Sequence, residues 1–300
     1  MSELIIIEKI LFYCVLLAFA FGSAAAVRQL SKPGTGKRLF VTAMIALGVL
    51  LEAVILFIRG MELRAVPLTG LFESMLALGV VLGGTFLIFR VMIRQDWFSA
   101  VMAWVILAIS LITAVAAKPA GQVVEIAKTP WIILHSVSMV TAGAMIAFSA
   151  AAAGLFLICR GKLKHKNIAG IVGTMPDIEK LQRLNIGSLK ICFAMMTLGI
   201  LSGIGVAYFQ ADTIGIEIVD WLKDSKVVIM LAAWMFVAIV MGLSFLPQWK
   251  GRRFAQATIF VFALIMFALV GAAVFCNSMH DFSGEQPLTQ LYSLLDGTGF

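Results

Sequence analysis

The sequence predicts an all-α fold, a polytopic membrane helical bundle of about eight transmembrane helices with both termini outside. Three observations lead there. The chain is 61% hydrophobic and only 13% charged, with a mean hydropathy of +1.02. A soluble domain could not hide that much apolar surface. Several apolar runs exceed the ~20 residues needed to cross the hydrocarbon core at 1.5 Å per residue. Lysine and arginine collect in alternate loops, as orientation signals do. The alternating pattern of barrel strands is absent from the sequence.

The elements follow in order. "ILFYCVLLAFAFGSAAAV" gives a first span near 9–27. It is long enough to stay as an anchor, and no cleavable signal peptide is evident. Further spans are expected near 38–58, 71–93, 97–117, 131–159, 187–209, 226–246 and 255–276. The loops "RQLSKPGTGKR", "RVMIRQ", "RGKLKHK" and "QWKGRR" are basic. The alternate loops "RGMELRAVPLTG", "AKPAGQVVEIAKTP" and "QADTIGIEIVDWLKDSK" are mixed or acidic. Positive-inside therefore sets the basic loops inside. The net charge of +7 is read as this orientation signal rather than as a nucleic-acid surface. The partner it implies is the lipid bilayer, with the chain as one multi-pass integral domain over 1–300. In the inner loop 160–186, "MPDIEKLQRLN" is expected to form a short amphipathic helix at the interface. His165 belongs to the solvated basic run beside it. The four cysteines, Cys14, Cys159, Cys192 and Cys276, form no CxxC or zinc-type spacing.

The topology sorts the histidines. His135, in "TPWIILHSVSMV", lies at the outer end of the fifth span, and His280, in "CNSMHDF", just after the eighth. They are 145 residues apart and share one face. Each alone reads as a partly wet interfacial side chain. Two neutral imidazoles on one pocket could instead ligate one metal ion, above all a haem iron from both axial sides. Ser138 and Ala142 share the face of His135. They leave room for a flat ligand, or serve only close helix packing.

Two carboxylates stand out. Glu52 falls inside the second span, about two turns from its outer end. A carboxylate there is costly, so it pairs, is protonated or lines a polar cavity. Glu73 opens the third span and complements a helix N-terminus. Arg59 and Arg64, on the outer side, could meet acidic ligand groups such as propionates, or only headgroups.

Together these residues resemble the cytochrome c assembly family, that is CcsA/ResC of the System II pathway, with relatives CcmC and CcmF. The likeness covers about 40–283. "RAVPLTGLFESM" resembles the family's P-L-[ST]-N-[LY]-[YF]-E-S segment, and "WIILHSVSMV" its W-x-x-x-H-[VA]-S helix start. "MPDIEKLQRLN" and "TLGILSG" are similar to P-x-[LI]-[ED]-x-L-x-x-L and T-L-G-[IL]-x-x-G. "DSKVVIMLAAWMF", "WKGRRFA" and "GAAVFCNSMHDF" continue the series in the family's order.

The resemblance implies a haem-handling protein of cytochrome c biogenesis in the bacterial inner membrane. His135 and His280 match the family's two external iron ligands. Haem would be bound transiently and presented at the outer face to apocytochrome c, with a ResB/Ccs1-type membrane partner. The chain would be at most one component of a haem lyase complex, since it shows no nucleophile or acid–base pair of its own. Trp221 and Asp224 match the site's periphery, joined by Arg59 and Arg64. Two departures stand beside the likeness. The family's tryptophan-rich segment W-G-x-Y-W-S-W-D-P-K-E is here "EIVDWLKDSKV". The family's two membrane histidines fall at Glu52 and Gly242. A non-catalytic HemX-like accessory protein is the alternative reading, and a small-molecule transporter working through Glu52 a further one.

Overall fold

The structure, a computed structural model, describes residues 2–31, 35–68, 70–93, 95–116, 129–164, 177–209, 223–249 and 251–271. Eight helices run in chain order: α1 Ser2–Ser31, α2 Thr35–Leu63, α3 Leu71–Met92, α4 Asp96–Ala116, α5 Pro130–Lys164, α6 Ile178–Phe209, α7 Ser225–Leu243 and α8 Arg252–Met266. A π-turn over Phe267–Gly271 extends α8. All eight are long and apolar enough to cross a membrane, and no strand occurs among the described residues. Successive helices reverse direction. One end of the bundle therefore carries the starts of α1, α3, α5 and α7 and the ends of α2, α4, α6 and α8. His135 lies at that end.

Local chemistry sets several boundaries. Gly70 is extended before α3, and Glu73 sits in the first turn, where a carboxylate complements the helix dipole. Asp224 caps α7 by accepting the backbone N–H of Lys226 at 2.9 Å. Gly251 turns the chain into α8 with φ 85°, a conformation that favours glycine. Arg64 ends α2 in the same left-handed region, at φ 47°.

The central helix is α5, the most deeply buried of the eight. Its "AFSAAAAG" stretch gives backbones a close approach in lipid, where small residues favour packing. The longest seam joins it to α6, and α3 and α8 flank it. Ser149 on α5 donates to both the carbonyl and the side-chain oxygen of Asn185 on α6, at 2.9 and 2.7 Å. On the other side α1 and α2 form a hairpin closed by Phe19 against Gly48, where a Cβ would stand 2.1 Å from the ring.

Two expected boundaries change. "IEKLQRLN" is not a separate interfacial helix but the opening of α6, which runs unbroken from Ile178. Its polar Asn185 is buried against Ser149, so a partner on α5 lets the helix carry it. The second span also runs longer than expected, to Leu63. Glu52 thus lies about three turns from the helix end, not two. Arg59 stands inside the helix rather than in the loop after it.

Candidate functional site

His135 sits in the second turn of α5, half-buried, with its ring turned onto α6. Its Nδ1 lies 2.7 Å from the carbonyl oxygen of Gly199. A carbonyl only accepts, so in the neutral ring Nδ1 carries the proton and Nε2 the lone pair. Ser202 donates to the same carbonyl at 2.9 Å. Gly199 lets the two helices meet here: a Cβ on it would lie 2.9 Å from Met139 Cε. Ser138 and Ala142, on the His135 side of α5, are both buried.

Trp131 lies one turn before His135. Its indole rests against Gly205 of α6, where a Cβ would be 2.8 Å from Cε3. Phe209 stacks on it at 5.5 Å between centroids and 13° between planes. Tyr208 meets Phe209 edge-on at 5.3 Å.

A second set of polar groups is buried among α1–α4. At the His135 end, Arg59 Nε lies 3.2 Å from Glu8 Oε1 and 3.6 Å from Glu73 Oε1. The guanidinium also stands 5.9 Å from the centre of the Phe72 ring. All three charged residues are buried. Arg59 is thus held inside the bundle by two carboxylates, and Glu73 is both a first-turn residue and an ion-pair partner. Arg64 is exposed.

Deeper in, Glu52 is 1% exposed. Ser110 of α4 donates to its Oε1 at 3.2 Å. Its carboxyl presses on Gly79 of α3, where a Cβ would be 2.5 Å from Oε2. Of the three expectations for Glu52, pairing is met by a hydroxyl. At the opposite end, Asp96 accepts from the Gln29 amide and from Arg38 Nη2 at 3.1 Å, and Arg38 Nε lies 2.9 Å from its Oδ1 as an ion pair.

Asp224 is buried and serves as the α7 cap. Gly242 is exposed and offers no side chain. His280, Trp221, Cys276 and His165 lie outside the described residues. Sequence reasoning named His135, Glu52, Glu73 and Arg59 but missed Glu8, Gln29, Asp96, Ser110 and the Gly199 carbonyl. Glu8 was discoverable: it, Arg59 and Glu73 all fall near the same end of three consecutive antiparallel spans.

The sequence profile of the family described as "Cytochrome C assembly protein" matches residues 68–280. The chain belongs to that family. The match begins just before α3, contains His135 and ends on His280. Curated relatives named "Cytochrome c biogenesis protein CcsA" are similar to it. That of Prochlorococcus marinus strain MIT 9215 is 23% identical over 245 residues, covering 72% of this chain and 75% of the relative. That of strain MIT 9312 is 24% identical over the same coverage. That of Synechococcus sp. strain CC9902 is 22% identical over 297 residues, covering 89% of this chain and 92% of the relative. The protein is accordingly a polytopic membrane protein with a role in cytochrome c biogenesis. Its relation to the named relatives is a distant one.

Proposed function

We propose that the protein receives haem at the end of the bundle carrying His135 and presents it there to apocytochrome c. His135 and His280 serve as the axial ligands. Haem is cargo in this reading, held and passed on. The observation that carries it is the His135 ring. Its Nδ1–H donates to the Gly199 carbonyl at 2.7 Å, which supports the tautomer whose lone pair is on Nε2. A second hydrogen bond of this kind is how a ligating histidine is usually aimed and made more basic.

The work asked of the chain is positioning. Ligation by two imidazoles fixes the iron and the plane of the porphyrin, and contacts at its edge set the rotation that turns the vinyl groups toward the thiols. An apocytochrome thiol then adds across each vinyl double bond, its S–H hydrogen passing to the second vinyl carbon. The lysine and arginine bias of the loops supports a His135 end that faces outside, and the proposed location is the bacterial inner membrane. A ResB/Ccs1-type protein is the proposed membrane partner. Arg64, exposed at this end, is the arginine available to a propionate, because Arg59 is engaged by Glu8 and Glu73.

One observation favours the second reading, a non-catalytic accessory protein. Where the family has two membrane histidines, Glu52 is wedged against Gly79 and Gly242 has no side chain. A haem relay through the membrane interior has no imidazole at either place.

The test is the absorption spectrum of protein purified from haem-replete cells. Low-spin bis-histidine bands are expected in the wild type. They are expected to disappear in His135→Ala and His280→Ala, and to return when imidazole is added to either variant. A wild type that stays colourless under haem loading sinks the first reading and leaves the accessory one.

A further inference from the structure

We infer that Trp131, Tyr208 and Phe209 form an aromatic shelf for the porphyrin face beside His135. It takes over from the aromatics that "EIVDWLKDSKV" lacks. The inference rests on the haem reading above and adds the surface on which the macrocycle lies.

Trp131 and His135 are four residues apart on α5, so they share a face, about 6 Å apart along the axis. Both are seated on α6 through glycines. His135 docks on the Gly199 carbonyl, and the Trp131 indole docks on Gly205, where a Cβ would stand 2.8 Å from Cε3. Ligand and shelf therefore share one frame, the longest seam of the bundle. Phe209, one turn beyond Gly205, stacks on the indole nearly in parallel. Tyr208 stands against Phe209 at 89°.

The rings are stacked yet uncovered: Trp131 is 40% exposed, Tyr208 68% and Phe209 66%. Tryptophan and tyrosine also gather at membrane interfaces simply as anchors. An anchor needs only depth. Here a glycine-made seat and a parallel stack also fix the orientation of the ring plane, which is what a flat apolar ligand requires.

The shelf acts on the macrocycle and not on the iron, so an iron-free probe separates it from ligation. Protoporphyrin IX and haem are each titrated into the purified full chain in detergent. Trp131→Ala and Phe209→Ala are expected to weaken protoporphyrin IX binding on the order of tenfold each. His135→Ala should leave it within about twofold, because no iron is ligated. With haem, Trp131→Ala keeps the bis-histidine bands at reduced affinity. Trp131→Phe, which keeps an aromatic face, should recover most of the loss, and Trp131→Leu should not. If the alanine variant fails to fold, the Phe and Leu pair decides.

Equal protoporphyrin IX affinity across the ring variants, with a His135-dependent haem spectrum intact, overturns the shelf and spares the ligation reading. A wild type that takes up neither haem nor protoporphyrin IX overturns both.

Discussion

Replacing Gly79 by alanine tests how tightly Glu52 is held. The new methyl would stand 2.5 Å from Oε2 and 2.7 Å from Oε1 of Glu52. Ordinary van der Waals contact begins at 3.4 Å, so the carboxyl must retreat by about 0.9 Å. It is 1% exposed and has Ser110 on its other oxygen. Forcing a methyl into such packing costs about 1–3 kcal/mol. Stretching the Ser110 hydrogen bond costs roughly 1 kcal/mol more. Alanine returns up to about 1 kcal/mol through its helix propensity. The net expectation is a loss of about 1–3 kcal/mol. In a Glu52→Ala background the obstacle is gone. The same Gly79→Ala change should then be neutral or slightly stabilising, giving a coupling of about 2 kcal/mol between the sites. SDS-driven unfolding in mixed micelles, followed by tryptophan fluorescence, reads all four proteins of the cycle. Equal destabilisation by Gly79→Ala in both backgrounds would falsify the contact and with it the placement of Glu52 between α2, α3 and α4.

The other expectations use the same unfolding measurement. Arg59→Met leaves Glu8 and Glu73 buried beside each other without their cation and should cost about 3–5 kcal/mol. Adding Glu8→Gln and Glu73→Gln should recover most of it. A triple variant no better than Arg59→Met alone would mean the arginine acts through packing. The two seam glycines should differ. Gly205→Ala drives a methyl into the rigid indole of Trp131 at 2.8 Å and should cost about 1–3 kcal/mol. Gly199→Ala meets Cε, Sδ and Cγ of Met139 at 2.9, 3.0 and 3.1 Å, an unbranched side chain that can swing aside, and should cost less than Gly205→Ala. Equal losses would contradict the seam as described.

The eight spans were legible because apolar runs of this length have one use in a 300-residue chain. Errors arose where a polar residue has a partner that pattern cannot reveal. The polar start of α6 reads as interfacial until Ser149 is seen donating to Asn185. Arg59 reads as a loop residue until Glu8 and Glu73 are found against it. Both involve packing between helices, and hydropathy along one chain does not encode which faces meet. His135 was picked out by its rarity and depth. What aims it, a backbone carbonyl on another helix, has no sequence signature beyond the glycine at 199. Glu52 was recognised as costly, but its neighbours Ser110 and Gly79 come from different helices.

The buried polar contacts of the first four helices share a geometric property. Arg38 meets Asp96, and Glu52 meets Ser110, each pair being 58 residues apart in sequence. Helices α2 and α4 run the same way, so both contacts demand the same sliding alignment, some 21 Å apart along the axis. Arg59 with Glu73 then ties α2 to α3 at the far end. Apolar side chains in lipid gain little by choosing one alignment over another a turn away. Three polar pins at three depths leave a single setting. A slip of α2 by one helical turn would strand a carboxylate at every pin at once. The first hairpin can therefore lock onto the second as soon as α4 is in the membrane, before α5 and its histidine have been made.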